Sequence, residues 1–287
     1  MLFTPMNSRR KKITFLCLPL FRLYLTEAAT VDYTAFGSNY SSTRSVSMQE
    51  PYRATSKWQR REPPPLFLAS SEIEQHQPIR ILCYGDSLTA GTSPPSLKNY
   101  PYAPHLQEAL NANAQSNLRF VVRHRGMPGW RASDMVDAAD DSTFGLRSAI
   151  ISISNPSLEM VIILAGTNDL GYASSSNQIS QSIIALHNMA LDCGVPKTVA
   201  IGIPPSGYQA MTPNVAKLVS DVNEQLKQYS LTSNGHTMFV PFPFEYQPRG
   251  GDLWAPDGLH FSSQGFQLLG ESIAIPILQF VQKGSIV

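Results

Sequence analysis

The sequence is short of cysteine, short of charge and without a long apolar run, and each shortage narrows what the chain can be. Only three cysteines occur in 287 residues, Cys17, Cys83 and Cys193, at spacings that suit neither a disulfide framework nor a metal cluster. Cys83 falls inside an apolar stretch and reads as a small core residue. Charged residues make up 15%, with 22 Lys/Arg against 21 Asp/Glu. That near balance conceals an asymmetry. Residues 1–61 hold ten Lys/Arg and three Asp/Glu, whereas residues 62–287 hold twelve and eighteen. The main body is therefore mildly acidic and offers no basic footprint for nucleic acid. No apolar run reaches the roughly 20 residues of a membrane-spanning helix, and no repeat recurs at a fixed period. What is present is a hydrophobic fraction of 43%, enough for a globular core.

The basic excess sits at the start. Arg9-Arg10-Lys11-Lys12 precedes a largely apolar stretch of nine residues, 13–21, and then Thr26-Glu27-Ala28-Ala29. This reads as a leader over 1–29. It fits a secretory signal peptide with a small-residue cleavage region. Because Arg22 interrupts the apolar run and 1–26 carries no acid, it also fits an organelle transit peptide. The expected destination is accordingly the secretory pathway, or alternatively an organelle. Residues 30–78, rich in Ser, Thr, Gln, Arg and Pro and including Glu62-Pro63-Pro64-Pro65, lack sustained periodicity and read as a mostly disordered linker. Asn39-Tyr40-Ser41 matches a glycosylation acceptor, which matters only in a secreted chain.

From residue 79 to 283 the pattern alternates. Short apolar runs predict strands at 79–84, 118–122, 160–165, 198–203 and 237–240. Apolar stripes at helical spacing predict helices at 101–117, 133–153, 177–193, 213–229 and 262–281, the last kinked at Pro276. Five buried strands separated by helices imply a parallel sheet covered on both faces. Right-handed crossovers then give an α/β domain, a three-layer α/β/α sandwich around a doubly wound five-stranded sheet. Ligands of such sheets sit at the carboxyl ends of the strands.

Those ends carry unusual residues. The first predicted strand runs into Gly85-Asp86-Ser87, the second into Gly126-Met127-Pro128-Gly129-Trp130, and the third into Gly166-Thr167-Asn168-Asp169; Asp257-Gly258-Leu259-His260 precedes the last helix. Each is an ordinary turn when taken alone. Together, in this order and each at a predicted loop, they resemble the four blocks of the SGNH hydrolases, the GDSL-type esterases and lipases. The resemblance spans about 79–283, and all four signature residues are in place. It implies a flavodoxin-like three-layer fold, which the alternation of strands and helices reaches on its own. It also implies hydrolysis of esters, sometimes thioesters, with no metal and no cofactor.

The chemistry asks for these residue types. A serine hydroxyl needs a base to take its proton. An imidazole, ordinarily titrating at about 6.5, can serve near neutral pH, and a carboxylate on its other ring nitrogen holds the right tautomer. Ser87, His260 and Asp257 are thus expected as nucleophile, base and orienting acid. The resemblance implies that the Ser87 N–H, the Gly129 N–H and the Asn168 amide would face the oxyanion. Gly126 competes for the second block, where the family uses the later glycine of the pair. Asp86 and Asp169 read as loop braces, and Thr89 as a brace at the start of the first helix. Trp130 and Trp254 could wall a substrate pocket or simply pack in the core. His105, His124, His187 and His236 fall away from the blocks and read as surface or packing residues. The G-x-S-x-G elbow of other α/β esterases is missing around Ser87. The expected activity is hydrolysis of small-molecule carboxylic esters with small or carbohydrate-linked acyl groups through an acyl-enzyme; the alternatives are a lipid-acting hydrolase, such as a lysophospholipase or thioesterase, and a silent ligand-binding module of the same fold. Neither nucleic acid nor a stable membrane span is expected, and the oligomeric state is open.

Overall fold

The computed structural model describes residues 77–153, 157–172, 175–247 and 251–283. The expected leader, the glycosylation acceptor and nearly all of the expected linker lie outside the described residues.

Five strands, β1 (Ile79–Asp86), β2 (Phe120–Met127), β3 (Met160–Leu164), β4 (Lys197–Ile201) and β5 (Thr237–Val240), form one sheet. Every pairing is parallel, in the order β2-β1-β3-β4-β5. The side chains alternate as a pleat dictates. Leu82 and Tyr84 of β1 and Val161 and Ile163 of β3 enter one core. Ile81, Cys83, Met160, Ile162 and Leu164 enter the other. Both faces are apolar, so both must be covered. Helices α2 (Ala103–Asn113) and α8 (Ser263–Gln282) pack together on the second face. Helices α3 (Ala132–Asp137), α4 (Leu146–Ser152), α5 (Ser176–Asp192) and α7 (Pro213–Thr232) cover the first. The sandwich expected from the sequence is therefore present. The chain leaves β1 toward β2 on one side and later returns to β3 on the other, which makes the β1/β3 carboxyl ends the topological switch point.

The ends of the helices follow their residues. Ser175 and Gln178 form a capping box at the start of α5, the Ser175 N–H donating to Gln178 Oε1 at 2.9 Å. Gly194, at φ +85°, lies just past its end. Ser262 caps α8 by accepting the Gly265 N–H at 3.1 Å.

Several bounds differ from the sequence reading. The helix expected over 133–153 is two helices, because Asp141 Oδ1 accepts the N–H groups of Thr143 and Phe144, each at 2.8 Å, and turns the chain. Strand β2 starts later and runs on through Arg123-His124-Arg125, as an edge strand can while its polar side chains face solvent. Helix α2 is shorter at both ends. Two short helices, α1 (Ser87–Ala90) and α6 (Gly207–Met211), have no apolar period to announce them. Helix α8 runs unbroken through Pro276. No helix among the described residues is long and apolar enough to cross a membrane.

Candidate active site

Strand β1 hands its chain directly to α1 at Ser87, and two glycines make the tight junction possible. A Cβ on Gly85 would overlap the Leu164 carbonyl oxygen of β3, and one on Gly126 would overlap the Ala90 backbone of α1. The two glycines are register partners across β1 and β2, so α1 can lie directly over the strand ends. Asp86 caps α1, its Oδ1 accepting the Leu88 N–H at 2.9 Å. Ser87 is left at the carboxyl edge with 7% of its surface exposed.

The last block is a turn built by its own acid. Asp257 Oδ1 accepts the N–H groups of Leu259 and His260, both at 3.0 Å. Gly258 supplies the left-handed residue inside that turn, at φ +66°. Asp257 Oδ2 is thereby aimed at the His260 ring, 2.7 Å from Nδ1. The other ring nitrogen, Nε2, lies 2.9 Å from Ser87 Oγ, across 173 residues of chain. A carboxylate only accepts, so Nδ1 carries the proton and Nε2 offers its lone pair to the Ser87 hydroxyl. Burial works against charge on Asp257, but the hydrogen bonds from the His260 ring and from the His260 and Leu259 N–H groups outweigh it. They hold this carboxyl below the usual range.

Two further turns follow the neighbouring strands β2 and β3. Met127-Pro128-Gly129-Trp130 has the features of a type II turn: Pro128 at its second position, Gly129 at φ +81° at its third, and the Trp130 N–H donating to the Met127 carbonyl at 3.2 Å. Space beside Gly129 is open, with nothing within 4 Å of where a Cβ would stand. Asn168 opens the 3-10 turn after β3 and donates from Nδ2 to the Trp130 carbonyl at 2.8 Å. Asp169 is buried and accepts the Ala132 N–H at 2.9 Å, which ties this turn to the start of α3. Burial raises its carboxyl above the usual range, and the Ala132 hydrogen bond opposes that.

Ser87, Asp257 and His260 thus stand in one hydrogen-bonded chain. Gly126 is spoken for by close packing, which leaves Gly129 as the freer of the two glycines. Trp254 is 4% exposed and sits edge-on to Phe261 and Tyr246, with ring centroids 4.9 and 5.1 Å away. Trp130 is half-buried against the α3–α5 core, its ring 5.6 Å from Phe144. What it lends to the site is its backbone carbonyl, a contribution that no side-chain pattern could signal. His105, His124 and His187 lie on α2, β2 and α5, and His236 just before β5. Among the described residues, no group of three His, Cys, Asp or Glu is placed to hold a metal ion.

A doubly wound α/β sandwich with this arrangement at its switch point belongs among the ester-cleaving hydrolases. Residues 83–268 match the GDSL-like lipase/acylhydrolase family, and the chain is a member of it, an SGNH hydrolase. A search of curated proteins gave no match. Similar solved structures include Est24, a carbohydrate acetylesterase from Sinorhizobium meliloti, at 21% identity and TM-score 0.51, with 70% of this chain and 99% of that chain covered. An inhibitor-bound aryl esterase from M. smegmatis matches at 20% identity and TM-score 0.51, over 70% and 99%. TesA matches at 16% identity and TM-score 0.52, also over 70% and 99%. At these identities the likeness is one of fold.

Proposed function

We propose that the chain is a serine esterase that cleaves carboxylic esters of small or carbohydrate-linked acyl groups through an acyl-enzyme. Ser87 Oγ attacks the carbonyl carbon while His260 Nε2 takes its proton; Asp257 keeps the ring in the tautomer that can do so. The tetrahedral oxygen is met by the N–H groups of Ser87 and Gly129 and by the second amide hydrogen of Asn168. Collapse expels the alcohol, which leaves with the proton from His260. Water, deprotonated by the same nitrogen, then attacks the acyl carbon, and collapse releases the acid as His260 returns the proton to Ser87 Oγ. The observation that carries the proposal is the continuous Ser87–His260–Asp257 contact at 2.9 and 2.7 Å.

An uncapped serine is in keeping with this reading. The helical segments that leave the strand ends are short, four residues in α1, four in the turn after β3 and five in α6. Among the described residues, then, no cap domain covers the serine. A lipid substrate is the second reading, supported by exposed apolar side chains on the same connections: Leu97, Tyr172, Tyr208 and Met211.

The test is labelling with a fluorophosphonate, together with turnover of acetyl, medium-chain and long-chain esters. The full chain is expected to be labelled at Ser87 and to prefer the short esters. Equal turnover in Ser87→Ala would remove the esterase reading, and preference for long chains would move it to lipids. Fluorescent tagging of residues 1–40 separates the secretory from the organellar destination.

A further inference from the structure

Asp86 lies one residue before the proposed nucleophile and is fully buried. Its Oδ1 accepts the Leu88 N–H at 2.9 Å, while Oδ2 has no partner among the described residues. Two more buried oxygens, the Thr89 hydroxyl and the Tyr102 phenol, are also unpartnered. Tyr102, at the start of α2, packs toward Thr89 and Cys83 and lies within the field of Asp86.

The ionisable groups around Asp86 come from each neighbouring element. The turn before α8 brings His260, whose ring is already paired with Asp257 at 2.7 Å. The turn after β3 brings Asp169, and α2 brings Tyr102, which itself feels Cys83 of β1. Among the described residues no Lys or Arg acts on it. Arg131 acts on Asp169 instead and is itself bonded to Asp134 at 2.6 Å. Two carboxyls on adjoining strand ends cannot both ionise at low cost. Asp169 is less deeply buried, holds the Ala132 N–H and feels Arg131, so it is the better bearer of the charge. Burial above all, with Asp169 adding to it, pushes the Asp86 carboxyl up to about 7 against the opposing pull of the Leu88 N–H and His260.

We propose that Asp86 is a positioning residue that works as a neutral acid: Oδ1 fixes the turn that aims the Ser87 N–H and hydroxyl, and a protonated Oδ2 keeps negative charge away from the oxyanion. A buried carboxyl oxygen with no donor beside it is cheaper to hold neutral than charged. An anion on this buried residue, next in the chain to the nucleophile and with little water to screen it, would oppose the developing charge. The proposal rests on Ser87 as the nucleophile.

The experiment compares the full chain with Asp86→Asn and Asp86→Ala, recording kcat and KM for p-nitrophenyl acetate from pH 5 to 9 and the melting temperature of each. Asparagine reproduces the neutral acid, with an acceptor for Leu88 and a donor in place of the Oδ2 proton. Asp86→Asn should keep close to wild-type kcat at pH 7 and lose a fall in activity that the wild type shows above about 7. Asp86→Ala should lose about 10²-fold in kcat with little change in KM, the scale expected for a misaimed reacting group. Asp86→Asn falling as far as Asp86→Ala, with its melting unchanged, would mean that the anion is needed and overturn the proposal. So would wild-type kcat in Asp86→Ala. Independently of activity, a carbon-13 NMR titration of the Asp86 carboxyl should find a midpoint near 7, and a midpoint near 4 would also overturn the proposal. If the wild type hydrolyses no ester, the esterase reading fails by itself and the NMR midpoint alone decides this one.

Discussion

The Trp130 carbonyl accepts one amide hydrogen of Asn168 at 2.8 Å, and that bond joins the turn after β2 to the turn after β3. It also fixes which way the amide faces. Were the side chain flipped, its oxygen would oppose the carbonyl, acceptor against acceptor. With Nδ2 anchored, its second hydrogen has a defined direction, and in the proposed mechanism it would be a donor that need not reorganise during the reaction.

Asn168→Ala should therefore lower kcat by about 10²–10³-fold, the usual effect of removing one oxyanion donor. Asn168→Asp should fall at least as far, because a carboxylate brings no donor and would face the Trp130 carbonyl with a negative oxygen. Steady-state kinetics on a p-nitrophenyl ester, with circular dichroism to verify folding, decides this. Near-wild-type turnover in either variant would show that Asn168 is only a turn residue.

The two glycines of the second block should respond to alanine in opposite ways. Gly129 has open space around it but stands at φ +81°, so Gly129→Ala should cost about 1–2 kcal/mol of stability. Its kcat should drop further than that loss implies, since the turn relaxes and re-aims the N–H. Gly126 is closely packed against α1, so Gly126→Ala should destabilise by about 3 kcal/mol or more. Urea unfolding alongside kcat separates the two, and equal loss of stability would contradict the assignment.

How far the sequence announced all this depends on the kind of signal involved. Strands β1 and β3 are continuous apolar runs because both of their faces are covered, and such runs are easily read. Strand β2 is an edge, so Arg123 and His124 can stay in it, and a count of apolar residues ends it too early. The break between α3 and α4 comes from side-chain acceptance by Asp141, a local competition that periodicity does not register. Ser87, Asp257 and His260 were legible because side-chain chemistry marks them. The Trp130 carbonyl was not, since any residue carries one. The burial of Asp86 could not be read either, because Asp is seldom fully buried.

His187 offers a test of stability away from the site. It is fully buried on α5, with both ring nitrogens unpartnered among the described residues and its ring 6.0 Å from that of Tyr229. Burial holds its imidazole down at about 3. Below about 6.5 the unfolded chain takes up a proton that the folded chain refuses. Stability should therefore fall as pH drops from 6.5 toward 3, by up to about 4 kcal/mol from this group. His187→Leu removes that loss, so its melting temperature should exceed that of the wild type by more at pH 4.5 than at pH 7.5. A difference that stays the same at both values would mean that His187 finds a partner or a proton.

Asp257→Asn is the sharpest probe of the paired turn, because it changes one atom and can leave the loop in place. The remaining carbonyl oxygen can still accept the Leu259 and His260 N–H groups, which Asp257 holds at 3.0 Å. What changes is the atom facing His260 Nδ1. An amide NH2 there donates, so Nδ1 must become the acceptor and the ring proton must move to Nε2. His260 would then present N–H to the Ser87 hydroxyl and could no longer take its proton. Turnover should fall by about 10⁴-fold, as expected for a base held in the wrong tautomer. There is a second consequence with its own sign. The Asp257 carboxyl is held below the usual range, so its share of stability is present above about pH 4 and lost as pH falls further. The acid side of the wild-type melting curve should accordingly be steeper than that of Asp257→Asn. Loss of turnover without a matching loss of fold at pH 7 would tie the acid to the reaction, whereas retained turnover would leave Asp257 as the builder of a turn and nothing more.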